Sequence, residues 1–170
     1  MAKESVALLK GKVDVSVVLD QLNAALAEEW LAYYQYWIAA RMIVGPQRES
    51  IAAEFEVHAK EELEHADWLC QRIIELDGVP VLTPQEWLKR ARCLYDTPTS
   101  FDAEYFLKAI RASEECAMRR YQEIADLTDG KDYVTCDLAK KILADEADHE
   151  QDTQDYLDDM DTAKEYYAGK

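Results

Sequence analysis

Two short runs carry the residues best suited to chemistry, Glu62-Leu-Glu-His65 and Glu146-Ala-Asp-His149. Each is Glu-x-x-His, and on an α-helix residues three apart stand one above the other on the same face. A carboxylate and an imidazole so placed can reach one point in space. Two such helices face to face, each with a further glutamate-bearing helix beside it, build a dinuclear carboxylate–histidine metal site in a four-helix bundle. Glu29 and Glu114 supply the further glutamates, each on the apolar line of another predicted helix. One Glu-x-x-His in an acidic chain is best read as a solvated helix face. Six such residues on four core-facing lines at matching depths point to metal. Buried together, four carboxylates repel one another, and two divalent cations would offset the cost of burying them. Carboxylate and imidazole donors suit iron or manganese, and zinc can intrude.

The elements that must position these residues are four long helices. The first is predicted over 14–44, with Val18, Leu22, Leu26, Glu29, Tyr33, Tyr36 and Ile43 on its inward line. Asp14 or Ser16 is its expected cap, and Gly45-Pro46 ends it. The second spans 49–76 with Phe55, His58, Glu62, His65 and Leu69 in line, and stops at Asp77-Gly78-Val79-Pro80. Residues 79–100 form a connection too long for a tight turn. Within it Thr83-Pro84-Gln85-Glu86 has the form of a helix start, so a short helix is predicted over 84–93. The third long helix runs over 101–127 from a cap at Ser100, with Leu107, Ile110, Glu114, Ala117, Tyr121 and Ile124 inward. The fourth covers 134–160, with Leu138, Ile142, Glu146, His149, Thr153 and Tyr156, followed by a polar tail. One long connection and two short ones define an all-α four-helix bundle with a single crossover, in one domain over 1–170.

Composition narrows the function. Thirty-five acidic against nineteen basic residues leave a formal charge of −16, which argues against direct DNA binding and suits attraction of cations. No stretch has the apolar length of a membrane span. The N-terminus lacks the apolar core and cleavage site of a signal peptide, so the protein is read as cytoplasmic. The four cysteines, Cys70, Cys93, Cys116 and Cys136, include no Cys-x-x-Cys pair. No zinc finger is indicated, and free thiols are the expectation in a reducing compartment.

The motifs also resemble a known family. Leu22-Asn-Ala-Ala-Leu-Ala-Glu28-Glu29-Trp30-Leu-Ala-Tyr-Tyr-Gln35-Tyr36 is similar to the first helix of bacterioferritins. Glu61-Glu62-Leu-Glu-His65-Ala66-Asp67 and Asp145-Glu146-Ala-Asp-His149 resemble their second- and fourth-helix metal motifs. The resemblance implies a ferritin-like fold with Glu29, Glu62, His65, Glu114, Glu146 and His149 as ligands of two irons per subunit. The family pattern makes Glu62 and Glu146 the bridging pair; the residues by themselves leave the bridging mode open. Bacterioferritins place their haem-binding Met directly after the second helix's first metal Glu, and here that residue is Leu63. No haem is therefore expected. The short tail after Met160 lacks a clear fifth helix of the kind that supports a 24-subunit shell, and the short crossover helix resembles that of Dps proteins, whose shells have 12 subunits. Together with Glu115-Cys116-Ala117 and Thr128-Asp-Gly130-Lys131-Asp132, the chain is similar to the Dps-like thioferritins.

That resemblance implies a cysteine pair close to the di-iron site. Cys116 is one candidate, and Cys136 is its nearest partner in sequence. Straight antiparallel helices put Cys136 opposite residues near 124, about two turns from Cys116, whereas a disulfide needs Cα atoms within about 7 Å. Cys70 and Cys93 are read as packing residues. His58, one turn before Glu62, is open to two readings: a supplementary ligand or proton carrier, or a core-edge histidine bonded to a neighbour. Tyr36 and Tyr121 face the interior, where a tyrosine can serve bound oxygen species; packing with one hydrogen-bond partner is the favoured role.

The expected function is a haem-free ferroxidase in a homo-oligomeric 12-subunit shell. It would oxidise Fe(II) with hydrogen peroxide or O2, store ferric mineral and protect against oxidative stress. A di-iron peroxidase or oxidase of rubrerythrin type without storage is the alternative, although no four-cysteine rubredoxin module is present. A structural or DNA-compacting shell is a third reading, and the charge counts against it.

Overall fold

The computed structural model describes residues 3–93 and 95–169. Six α-helices follow one another among them: α1 (Glu4–Ala7), α2 (Val15–Met42), α3 (Arg48–Glu75), α4 (Trp87–Arg90), α5 (Ala103–Thr128) and α6 (Tyr133–Ala168). A 3-10 turn, Pro84–Glu86, leads into α4. No β-ladder forms among the described residues; one isolated bridge joins Val44 to Asp102.

Local chemistry starts and stops these helices. Asp14 caps α2 by accepting from the Ser16 amide at 2.9 Å, and Asp132 caps α6 through the Thr135 amide. Asp102, rather than the expected Ser100, caps α5 by accepting from the Tyr105 amide at 2.9 Å. The Ser100 hydroxyl is instead bound to the Asp102 carboxylate. After α3 it is Asp77 that takes the left-handed conformation, with φ 59°. Gly78 is needed for another reason: a side chain there would collide with Leu19.

Three boundaries differ from expectation. Helix α6 continues to Ala168 instead of stopping at 160, because no Gly or Pro interrupts it before Gly169. Its extension is exposed throughout; Lys164 ties it to Glu104 of α5 at 2.7 Å. The short crossover helix ends at Arg90 rather than 93, and the chain beyond it is drawn onto Glu28. At the N-terminus, α1 occupies part of the expected tail.

The four long helices pack in antiparallel fashion. Short links, 43–47 and 129–132, turn α2 back on α3 and α5 back on α6. Across the bundle, Tyr36 meets Glu114 while Glu29 meets Tyr121, so α2 and α5 run oppositely. Likewise His65 meets Asp145 and His149 meets Glu61, which makes α3 and α6 antiparallel. The crossover returns along the bundle, and the Val44 amide donates to Phe101 O at 2.9 Å where it arrives.

Two apolar clusters fill the interior. One includes Leu22, Leu26, Leu69, Ile73, Tyr121, Ile124 and Ile142. The other includes Tyr36, Ile51, Phe55, Phe106, Leu107, Ile110 and Leu157. On every long helix the predicted metal residues fall between the two, so the core holds a polar layer between apolar halves. Buried Arg72 secures one end: it donates to Asp132 at 2.8 Å and to Thr135 at 2.8 Å, joining α3 to the start of α6.

Candidate metal centre

All six predicted residues meet in this polar layer, each buried. Helix α2 brings Glu29, α3 brings Glu62 and His65, α5 brings Glu114, and α6 brings Glu146 and His149. They form two overlapping clusters, Glu29–Glu62–His65–Glu146 and Glu62–Glu114–Glu146–His149, within each of which the donor atoms lie no more than 4.8 Å apart. Glu62 and Glu146 belong to both. In the first cluster His65 Nδ1 lies 3.4 Å from Glu29, 3.5 Å from Glu62 and 3.2 Å from Glu146. In the second, His149 Nδ1 lies 3.3 Å from Glu62 and 3.5 Å from Glu146.

The donor set tests well against a pair of cations. Buried polar atoms are almost always hydrogen-bonded. Yet Glu29 Oε2, Glu62 Oε1, both carboxylate oxygens of Glu146 and both histidine Nδ1 atoms have no hydrogen-bond partner. Such atoms, concentrated at one spot and aimed inward, fit metal coordination.

The electrostatics follow from burial and crowding. Burial pushes the Glu29 carboxyl well above its ordinary value, with Glu62 adding repulsion. Burial and the charge of Glu146 do the same to Glu114. At His65 and His149 burial opposes the imidazolium, but the carboxylates packed around each ring, Glu146 first among them, override it. His65 is raised far above the usual histidine range, and His149 is pushed up to about 12. At Glu62 burial likewise loses to the His149 and His65 rings beside it, which hold the carboxyl far below its usual range.

A reciprocal outer layer orients these residues. His65 Nε2 contacts Asp145 of α6 at 3.2 Å, and His149 Nε2 contacts Glu61 of α3 at 3.0 Å. Each outer acid directly precedes the inward glutamate of its own helix. The Tyr36 hydroxyl donates to Glu114 at 2.8 Å, and Tyr121 to Glu29. Both tyrosines therefore find a partner in the opposite helix's glutamate, and burial raises their hydroxyl pKa values further. His58 stacks on the His149 ring at 4.1 Å between centroids.

The cysteine expectations need correction. Cys116 is bonded to Cys93, with Cα atoms 5.8 Å apart, so neither the pairing with Cys136 nor a packing role for Cys93 holds. Cys136 lies opposite the far end of α5, its Sγ 3.7 Å from Ala125 O. What brings Cys93 to the centre is Glu28, whose Oε1 accepts from the amides of Arg92 at 2.6 Å and Cys93 at 3.1 Å. Arg120 pairs with the same carboxylate at 3.0 Å. Cys93 and Tyr95 then line a cavity of about 20 Å³ together with Glu29, Glu62, Glu114 and Glu146. Cys70 and Cys136 are free. The sequence reading missed Glu28, Glu61 and Asp145, although each stands beside a predicted ligand; adjacency in an acidic chain is too weak a signal to single them out.

A long-helix bundle with a buried carboxylate–histidine layer defines the class, and sequence comparison gives the family. The chain belongs to the ferritin-like family, whose domain profile matches residues 19–163. The DNA protection during starvation protein of Pyrococcus furiosus is 36% identical over 142 residues, covering 81% of this chain and 75% of its own. A bacterial ferritin of Synechocystis is 31% identical over 142 residues, covering 83% and 84%. Among solved structures, the bacterioferritin-related protein of Bacteroides fragilis, described as a dodecameric thioferritin, superposes with a TM-score of 0.96. It is 58% identical, with 98% of this chain and 99% of that one covered. Dps from Thermosynechococcus elongatus shares the fold at a TM-score of 0.80 and 22% identity, covering 91% and 95%. The family expected from the residues is the family found. No helix among the described residues is long and apolar enough to cross a membrane.

Proposed function

We propose that this chain is the subunit of a haem-free iron-storage and detoxification shell whose buried centre oxidises Fe(II). The observation that carries this reading is the pair of donor clusters sharing Glu62 and Glu146. A substrate pair of Fe(II) ions would sit one in each cluster: Glu29 and His65 terminal to one, Glu114 and His149 to the other, and the shared glutamates between them. Hydrogen peroxide takes one electron from each Fe(II) and, with two protons, leaves as two waters; O2 is the other oxidant. Carboxylates suit this exchange because they accommodate both Fe(II) and Fe(III). The chain's own residues hold the geometry: Glu61 and Asp145 orient the histidines, and Tyr36 and Tyr121 orient the terminal glutamates.

Leu63, where bacterioferritins carry the haem-binding Met, supports a subunit without haem. The 58% identity to a protein described as a dodecameric thioferritin supports a 12-subunit homo-oligomer. A formal charge of −16 suits iron attraction and not direct DNA contact. The Cys93–Cys116 disulfide beside the cavity supports a redox role for this pair.

The test is to load Fe(II) anaerobically, add peroxide, and follow ferric absorbance per subunit together with particle size. Iron far beyond two per subunit inside a discrete particle is expected. Two per subunit and no mineral would replace storage by a peroxidase of rubrerythrin type.

A further inference from the structure

The α3/α6 face is not the same at its two ends. Beside His65, Trp68 packs 5.4 Å from the imidazole and Lys141 caps the Trp68 ring at 3.4 Å. Beside His149 it opens into a cleft of about 230 Å³, lined by Glu54, His58, Glu61, Asp148, His149 and Asp152 among others. A helical turn outward from His149 in this cleft stand Glu54 and His58 of α3 and Asp152 of α6.

We propose that Glu54, His58 and Asp152 form a third divalent-cation site, distinct from the six-residue centre and placed to hold a cation arriving along the cleft. Their donor atoms lie within 4.8 Å of one another. Acidic surface clusters are common without any ion, so the weight falls on His58. It is only 3% exposed, and its Nδ1 has no hydrogen-bond partner among the described residues. Nε2 is directed between the two carboxylates, 3.5 Å from Glu54 and 3.4 Å from Asp152, and the ring is fixed by its stack on His149. A buried imidazole nitrogen left without a hydrogen bond is costly, and a cation held at Nε2 would fix the ring from its other side. One imidazole nitrogen and two carboxylates make a donor set for Fe(II), Mn(II) or Zn(II). Glu61 lies in a further cluster with His58 and His149, so donors continue from this site to the centre without a gap. The site goes beyond the ferroxidase reading and does not depend on it.

Zinc is the probe, added to the intact assembled protein and counted by equilibrium dialysis and anomalous diffraction at the zinc edge. Three peaks per chain are expected: two in the six-residue centre and one about 2.0–2.2 Å from His58 Nε2. Asp152→Asn and, separately, His58→Gln should each lose that third peak and one zinc per chain, with melting curves confirming the fold. Glu62→Ala/Glu146→Ala should lose the other two and keep it. No peak at the triad in the wild type, or one that persists in both triad variants, overturns the proposal. A triad peak with an empty centre would count against the ferroxidase reading alone. Asp152→Asn should also oxidise sub-stoichiometric Fe(II) several-fold more slowly; a wild-type rate would overturn the holding role.

Discussion

The two faces of the centre are built by the same device and finished differently. On the α2/α5 face each glutamate is held by a tyrosine from the opposite helix, seven residues beyond that helix's own glutamate. On the α3/α6 face each histidine is held by an acid from the opposite helix, directly before that helix's own glutamate. Both arrangements are reciprocal. Yet the first face is covered by the crossover, pinned by Glu28 and the Cys93–Cys116 bond, while the second opens into an acidic cleft. The donors are symmetric and their covers are not.

The comparison can be broken most completely at the residues common to both clusters. Glu62→Ala/Glu146→Ala should abolish Fe(II) oxidation, read as ferric absorbance, whereas Glu29→Ala and Glu114→Ala should each remove one bound zinc. A double variant that oxidised Fe(II) at the wild-type rate would refute the ligand assignment.

On the covered face, Cys93→Ser/Cys116→Ser opens a loop with a sequence separation of 23. The loss should be about 3 kcal/mol, a fall in melting temperature of roughly 6–12 °C for a chain of this size. The same variant should leave zinc stoichiometry intact. A melting curve that does not move would show that Glu28 and Arg120 fix the crossover without the bond.

On the open face, Glu61→Gln and Asp145→Asn should each weaken zinc binding about 10–100-fold, measured by competition with a chelator. Each loss should fall on the histidine that the acid contacts, not on both. Across the centre, Tyr36→Phe and Tyr121→Phe remove a hydrogen bond to a carboxyl group. Each should cost about 1.5–3 kcal/mol if its glutamate is ionised in the metal-bound state. If the tyrosine variants bind zinc as the wild type does, the two faces do not share one orienting logic.

The smallest effect is a graded one with pH. The folded protein holds His149 as imidazolium up to about 12 and His65 further still. Both must release a proton to take a cation. Zinc affinity should therefore rise with pH across the neutral range, and at least two protons should leave per pair of ions. Calorimetry in buffers of different ionisation enthalpy reads that number directly; zero protons would contradict the imidazolium form of the two histidines.

Much of this was legible in the residues. Glu29, Glu62, His65, Glu114, Glu146 and His149 stand out because helical periodicity is local, and a carboxylate on an apolar line breaks a pattern the neighbouring residues set. The four long helices and the single crossover follow from the same periodicity and from Gly45-Pro46, Asp77-Gly78 and Thr128-Asp-Gly130. The end of α6 lies beyond the expected one because its last residues bury no face in the core. Cys93 was misread because its place depends on Glu28, 65 positions earlier.

The sequence by itself determined which side chains share a helix face, since that needs only the 3.6-residue repeat. Only the tertiary structure decided which faces meet and at what height. Tyr36 reaching Glu114, Asp145 reaching His65 and Cys93 reaching Cys116 all depend on the register between helices. That register is set by the summed packing of two apolar clusters around the polar layer, and no single stretch of chain contains it.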